Sequence, residues 1–280
     1  MTMTRLQYFR YQKLRIGYRT WGDRSKPPLV LLHGFTGTSL GWKSLADVWT
    51  SHFWVVAPDL PGHGASKAPP VPEELSVAKT AEALTHLMSF LSAQPWLLLG
   101  YSFGGRIACH MMRNTPVELQ CVVLESASPG IDDPKERALR RQQDMVLADK
   151  IEAHGLDWFI RYWRSLPLFA SQATLSEPRR QSLENERRAH SAWGLAQSLR
   201  GAGTGTQESL WPALSTIKVP VLMVTGAEDT KYRHIARAMH EALPESQWVS
   251  VNGAGHNVHL EKPDQFDQIV SRFFSEQNYL

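Results

Sequence analysis

A chain of 280 residues with 42% hydrophobic content can bury a large core without disulfides or metal clips, and a formal charge of +3 with no block of like charges argues against a nucleic-acid partner. The two cysteines, Cys109 and Cys121, lack the spacing of a disulfide framework or a thiolate metal site and read as small buried hydrophobes, which fits a reducing compartment. No segment approaches the roughly 18 apolar residues of a membrane-spanning helix, and the opening Met1-Thr2-Met3-Thr4-Arg5-Leu6 lacks a signal-peptide core, so the expectation is a soluble, cytoplasmic protein without a membrane partner.

Residues 6–21 alternate around Tyr8, Tyr11, Ile16 and Tyr18 until Pro27-Pro28 breaks the pattern, which predicts an antiparallel opening hairpin. Leu29-Val30-Leu31-Leu32 is a continuous apolar run, as in a strand covered on both faces, and it ends at His33-Gly34-Phe35-Thr36-Gly37. Trp42, Leu45 and Trp49 recur at helical spacing. Phe53-Trp54-Val55-Val56-Ala57 reads as the next strand, running into the rigid loop Pro58-Asp59-Leu60-Pro61-Gly62-His63-Gly64. A helix follows with Ala81, Leu84, Leu87, Met88 and Leu91 on one face and Glu73-Glu74 placed to favour its positive N-terminal end.

Trp96-Leu97-Leu98-Leu99 then leads into Gly100-Tyr101-Ser102-Phe103-Gly104-Gly105-Arg106, the pattern of a nucleophile elbow. A strand turning sharply into a helix holds the central Ser in a strained conformation with its Oγ in a cleft, and small neighbours are required where the two arms meet. The bare G-x-S-x-G pattern recurs by chance. What strengthens it here is the apolar strand before it and Ile107-Ala108-Cys109-His110-Met111-Met112 after it, a helix that can be buried under a sheet.

Cys121-Val122-Val123-Leu124 is another buried strand. Beyond Pro129-Gly130 the strand–helix alternation stops, and for roughly 70 residues the pattern is helical. Ten of the twenty arginines fall between residues 131 and 200, matched there by ten acidic residues, so most are expected to be solvated ion pairs. Alternation resumes with Val219-Pro220-Val221-Leu222-Met223-Val224, a helix bearing Ile235, Met239 and Leu243, and the strand Trp248-Val249-Ser250-Val251. The last helix has Pro263 in its first turn and a stripe of Phe266, Ile269, Val270, Phe273 and Phe274. The predicted fold is α/β: a mainly parallel sheet with helices on both faces, its core formed by residues 1–129 and 204–280 and interrupted by a helical lid at 130–203.

A serine hydroxyl needs an imidazole, itself oriented by a carboxylate, to accept its proton. Asp229 follows the strand at 221–224 and His256 follows the strand at 248–251, so the order Ser102, Asp229, His256 and their places at strand ends suit a triad; Glu228 and His259 are the nearest rivals. Backbone N–H groups of Phe35 and Phe103 are the candidate oxyanion hole. His33 reads as a structural tie between loops, and His63 and His110 as having no direct chemical role.

The whole chain resembles the α/β-hydrolase superfamily, and more narrowly the 2-succinyl-6-hydroxy-2,4-cyclohexadiene-1-carboxylate synthase family. The narrowing residues are Gly105-Arg106, Lys135-Glu136-Arg137-Ala138-Leu139-Arg140, Trp163-Arg164-Ser165-Leu166-Pro167-Leu168-Phe169-Ala170-Ser171, Ser198-Leu199-Arg200-Gly201-Ala202-Gly203-Thr204, Asp229-Thr230-Lys231-Tyr232 and Gly255-His256-Asn257-Val258-His259. The resemblance implies pyruvate elimination from a tricarboxylate in menaquinone (vitamin K2) or phylloquinone biosynthesis. In that chemistry Ser102 acts as a base rather than a nucleophile, and the oxyanion hole holds an enolate. It implies carboxylate binding by Arg106, Arg140 and Arg187, or Arg188 beside the last, together with Trp163 and Tyr101, and it calls for no cofactor. An ordinary esterase or carbon–carbon bond hydrolase acting on an acidic substrate is the alternative, because fold and triad do not separate base from nucleophile. An inert receptor on this fold would not need an intact triad.

Overall fold

The computed structural model describes residues 5–114 and 118–280; the first four residues of the opening stretch lie outside it. Eight strands form one sheet: β1 (Gln7–Tyr11), β2 (Leu14–Trp21), β3 (Pro28–Leu32), β4 (Trp54–Pro58), β5 (Trp96–Tyr101), β6 (Leu119–Glu125), β7 (Val221–Gly226) and β8 (Ser246–Val251). The spatial order is β1-β2-β4-β3-β5-β6-β7-β8, with β1, β2 and β4 paired antiparallel and every other pair parallel. The helices are α1 (Lys43–Trp49), α2 (Val77–Leu91), α3 (Phe103–Arg113), α4 (Pro134–Arg164), α5 (Glu177–Arg188), α6 (Ala192–Ala202), α7 (Thr230–Ala242), α8 (Val258–Glu261) and α9 (Pro263–Glu276).

The continuous apolar runs have the physical consequence expected of them: successive side chains of one strand enter two different cores. Val30, Leu32, Leu98, Val122, Leu124 and Met223 pack with α2, α3 and α7 on one face. Leu29, Leu31, Leu97, Leu99, Val123 and Leu222 pack with α1 and α9 on the other, where the stripe Phe266, Val270, Phe273 and Phe274 is fully buried. Truncating one of those phenylalanines to Ala should cost about 3–5 kcal/mol. Cys109 and Cys121 lie in opposite cores and are free thiols.

Glu73 and Glu74 do not sit on the first turn of α2. They form a separate turn, Pro72–Leu75, and α2 starts behind its own cap, where the Ser76 hydroxyl accepts from Lys79 N–H. Ser76 competes better for the free amides than a carboxylate a turn away, and Glu74 instead joins Lys13 and Lys79, each at 3.2 Å.

From Pro134 to Ala202 every regular element is helical, and this block packs over the C-terminal edge of the sheet around Ala148, Ile151, Phe159, Leu195 and Leu199. Its α4 is broken at Gly155 (φ +78°), which lets the second half turn inward with Phe159 and Trp163. Arg164, Arg180, Arg188 and Arg200 make ion pairs with acidic partners on the exposed face. Such pairs are each worth about 0–1 kcal/mol. No helix among the described residues is long and apolar enough to cross a membrane.

Candidate active site

Ser102 stands between β5 and α3 with φ +49° and ψ −103°, a region that non-glycine residues avoid at a cost of about 1–3 kcal/mol. The turn is held there by Ser102 N–H on the Glu125 carbonyl (2.8 Å), Gly104 N–H on the His33 carbonyl (3.0 Å) and Arg106 N–H on the Ser102 carbonyl (3.0 Å). A Cβ on Gly100 would lie 2.6 Å from the Gly104 carbonyl oxygen, so the two arms of the turn close only on glycine.

The imidazole of His256 reaches the Ser102 Oγ with Nε2 at 2.9 Å and the Asp229 Oδ2 with Nδ1 at 2.6 Å. Asp229 Oδ1 is occupied by Tyr232 N–H at 3.2 Å, so the carboxylate both caps α7 and orients the ring. Both His256 and Asp229 are buried, where a hydrogen bond to a carboxylate is strong. The rivals lie elsewhere. Glu228 is exposed, and His259 donates its backbone N–H (2.9 Å) and its ring Nδ1–H (2.6 Å) to buried Glu125 while stacking on Trp42. Phe35 and Phe103 both face the cavity at Ser102, and neither backbone N–H has a partner among the described residues. His33 bridges two loops, through Nδ1 to the Gly34 carbonyl (2.8 Å) and through Nε2 from Leu60 N–H (2.9 Å).

The cavity above Ser102 encloses about 250 Å³ and is lined by the aromatic rings of Phe35, Tyr101, Trp163 and Phe169 together with Arg106, Arg140, Lys231 and Tyr232. Arg106 donates to Gln207 Oε1 (3.0 Å) and to the Ala202 carbonyl (2.9 Å) and lies over the Phe103 ring; burial pulls it down to about 10. Arg140 lines the cavity and uses its Nε–H on Asp144 (2.8 Å). Trp163 lines the cavity with its Nε1–H buried and unpaired, and Tyr101 packs against His256.

The third expected arginine is not in this cavity. Arg187 is buried behind the Phe35, Tyr101, Trp163 and Phe169 wall, in an adjoining cavity, where it donates to Gln172 Oε1 (3.1 Å) and keeps Nε without a partner. Burial lowers its pKa from the usual range. Arg188 points outward to Asp157 and Glu184. In its place the cavity holds Lys231, whose ammonium has no hydrogen-bond or ion-pair partner among the described residues and whose pKa is lowered by burial and by Arg140. The sequence marks Lys231 through one local misfit: a cation on the first turn of α7 opposes the helix dipole, and such misfits occur at functional positions. No cluster of metal-ligating side chains occurs among the described residues.

The sequence model of the family described as alpha/beta hydrolase fold matches residues 27–263. A putative 2-succinyl-6-hydroxy-2,4-cyclohexadiene-1-carboxylate synthase of Bacillus subtilis is 38% identical over 91% of this chain and 92% of its own, and the synthase so named from Serratia proteamaculans is 33% identical over 90% and 94%. Among solved structures, MenH from S. aureus superposes with a TM-score of 0.89 at 31% identity, covering 93% of this chain and 98% of its own. The chain belongs to the α/β-hydrolase superfamily and, within it, to the 2-succinyl-6-hydroxy-2,4-cyclohexadiene-1-carboxylate synthase family.

Proposed function

We propose that this protein is a carbon–oxygen lyase that eliminates pyruvate from 2-succinyl-5-enolpyruvyl-6-hydroxy-3-cyclohexene-1-carboxylate, yielding 2-succinyl-6-hydroxy-2,4-cyclohexadiene-1-carboxylate on the route to menaquinone or phylloquinone. The observation that carries this reading is the cavity at Ser102, which sets three cations, Arg106, Arg140 and Lys231, around one serine and its imidazole. A plain ester needs no such charge, whereas a substrate with three carboxylates does. The family names of its relatives support the same reaction.

The two ring names fix the electron flow. The ring C2–H bond beside the succinyl ketone breaks, a C2=C3 bond forms, the C3=C4 pair shifts to C4=C5, and the C5–O bond to enolpyruvate breaks. Ser102 Oγ takes the C2 proton as His256 Nε2 takes the hydroxyl proton, and Asp229 stabilises the imidazolium through Nδ1–H. The ketone oxygen gains charge as the enolate forms, and the free N–H groups of Phe35 and Phe103 are suited to hold it. The imidazolium returns its proton to the leaving enolpyruvate, which becomes pyruvate; no water is consumed. Tyr101 and Trp163 pack the ring, and Arg187 serves an arm of the substrate only if that arm passes the aromatic wall.

Pyruvate release from the enolpyruvyl substrate, with a slowing on deuteration at C2, is the expected result. An acyl group on Ser102, formed and lost at the turnover rate in mass spectra of quenched enzyme, would make the protein a hydrolase instead.

A further inference from the structure

Two arginines are buried among the described residues, Arg106 and Arg187, and neither forms an ion pair there. Each is held instead by a buried glutamine. Arg106 donates to Gln207 Oε1 at 3.0 Å and to the Ala202 carbonyl at 2.9 Å, and Arg187 donates to Gln172 Oε1 at 3.1 Å. The arginines nearer solvent differ: Arg113, Arg164, Arg180 and Arg188 all pair with Asp or Glu. The contrast is sharpest at two consecutive positions, where Glu208 takes the exposed Arg113 at 2.8 Å and Gln207 beside it takes the buried Arg106. Asp144, whose charge reaches Arg106, is itself bonded to Arg140 (2.8 Å) and to Gly205 N–H (3.2 Å).

For stability alone, Gln207 is a poor choice. Its Nε2 is buried without a partner, so the loss of its hydration is uncompensated. Glutamate has nearly the same shape, would strand no N–H, and would give a guanidinium that is already buried the carboxylate its fork fits. A residue that breaks a local rule in this way marks a functional position. We infer that Gln207 is a specificity-determining residue: by holding Arg106 through a neutral oxygen, it fixes the guanidinium without cancelling its charge, and so sets the preference of the cavity at Ser102 for anionic ligands. Gln172 stands in the same relation to Arg187. This inference rests on the reading of the substrate as a tricarboxylate.

The test compares wild type with Gln207→Glu and Gln207→Met. It reads KM and kcat from pyruvate release, the urea midpoint, and calorimetric binding of two probes, benzene-1,2,4-tricarboxylate and its neutral triamide. Gln207→Glu should raise the urea midpoint, because it pairs a buried charge and removes a stranded N–H. It should nevertheless raise KM and the tricarboxylate Kd about 10- to 100-fold, the contribution of a hydrogen bond to a charged group, with kcat changed less. Gln207→Met keeps the charge on Arg106 but drops one acceptor, so stability should fall while binding weakens only a few-fold. A merely structural Gln207 predicts the reverse order, with affinity following the urea midpoint. Unchanged tricarboxylate binding in Gln207→Glu, or a wild type that binds the tricarboxylate no more tightly than the triamide, overturns the inference. Should Gln207→Glu not fold, Gln207→Met decides: a few-fold loss of binding supports the inference, and a loss as large as that of Arg106→Ala overturns it. Wild type that releases no pyruvate, while its tricarboxylate binding still responds to Gln207→Glu, would count against the proposed reaction and not against Gln207.

Discussion

Arg106→Ala separates two roles that the sequence alone merged. The resemblance implies a carboxylate-binding role for Arg106, and the structure adds a structural one. The guanidinium donates to the Ala202 carbonyl at the end of α6 and to Gln207 Oε1 in the following segment, so it ties α3 to the end of the helical block. Truncation strands two buried acceptors beside a Gln207 Nε2 that already lacks a partner. At about 1–3 kcal/mol per stranded group the sum is about 2–6 kcal/mol, with water admitted from the cavity recovering part of it. A stability loss of about 2–3 kcal/mol should therefore accompany a kcat/KM loss of about 2–5 kcal/mol from the uncovered carboxylate. Urea unfolding and pyruvate-release kinetics, run in parallel on Arg106→Ala and Arg106→Lys, read the two separately. Lys, with charge but no fork, should recover part of each. An unchanged urea midpoint in Arg106→Ala refutes the tie, and an unchanged kcat/KM returns Arg106 to a purely structural role.

The fold was legible because its strands are buried on both faces. Runs such as Leu29 to Leu32 and Val221 to Val224 have only one way to satisfy both backbone and side chains, a central parallel strand, and the glycines of the elbow fix where one such strand must turn. Glu73 and Glu74 were misread because charge near a helix start is a weaker signal than a hydroxyl cap, and Ser76 stood beside them. Ser102, Asp229 and His256 could be named because each follows a strand directly, so their convergence is a property of topology. The cations could not be sorted that way. Whether a lid arginine faces the cavity, a neighbouring cavity or solvent depends on the angle of α5 and the break at Gly155, which no local pattern encodes. Arg187 therefore lies outside the cavity expected for it, and Lys231, to which the sequence reading gave no role, lines that cavity instead.

Three further outcomes follow from the geometry. Ser102→Ala and His256→Ala should each lower kcat by orders of magnitude and the double variant hardly further, while Asp229→Asn should hurt less; multiplicative losses would show that the pair does not act as a unit. Lys231→Met should cost about 1.5–3 kcal/mol in kcat/KM with thermal stability unchanged or raised, since it removes a cation from the positive end of α7; wild-type kinetics would deny it a carboxylate partner. The last concerns acid. His33, His63 and His190 are buried in ring contact at 5.3 Å for each successive pair, and burial lowers all three pKa values, His33 from the ordinary 6.5 to about 4. The folded protein keeps these rings neutral, although Asp59 beside them favours the charged form of His33, whereas the unfolded chain protonates them below about 6.5. Between those limits the unfolded state binds more protons, so stability falls as pH falls, and His33 alone accounts for about 3 kcal/mol by pH 4. Because protonation turns the two accepting nitrogens, His33 Nε2 under Leu60 N–H and His190 Nδ1 under Gly64 N–H, into donors, the loops that these rings join beside the cavity should loosen over the same range, and activity should fail before the far-ultraviolet signal does. Urea midpoints that stay level from pH 7 to pH 4 would refute the assignment of neutral rings to this cluster.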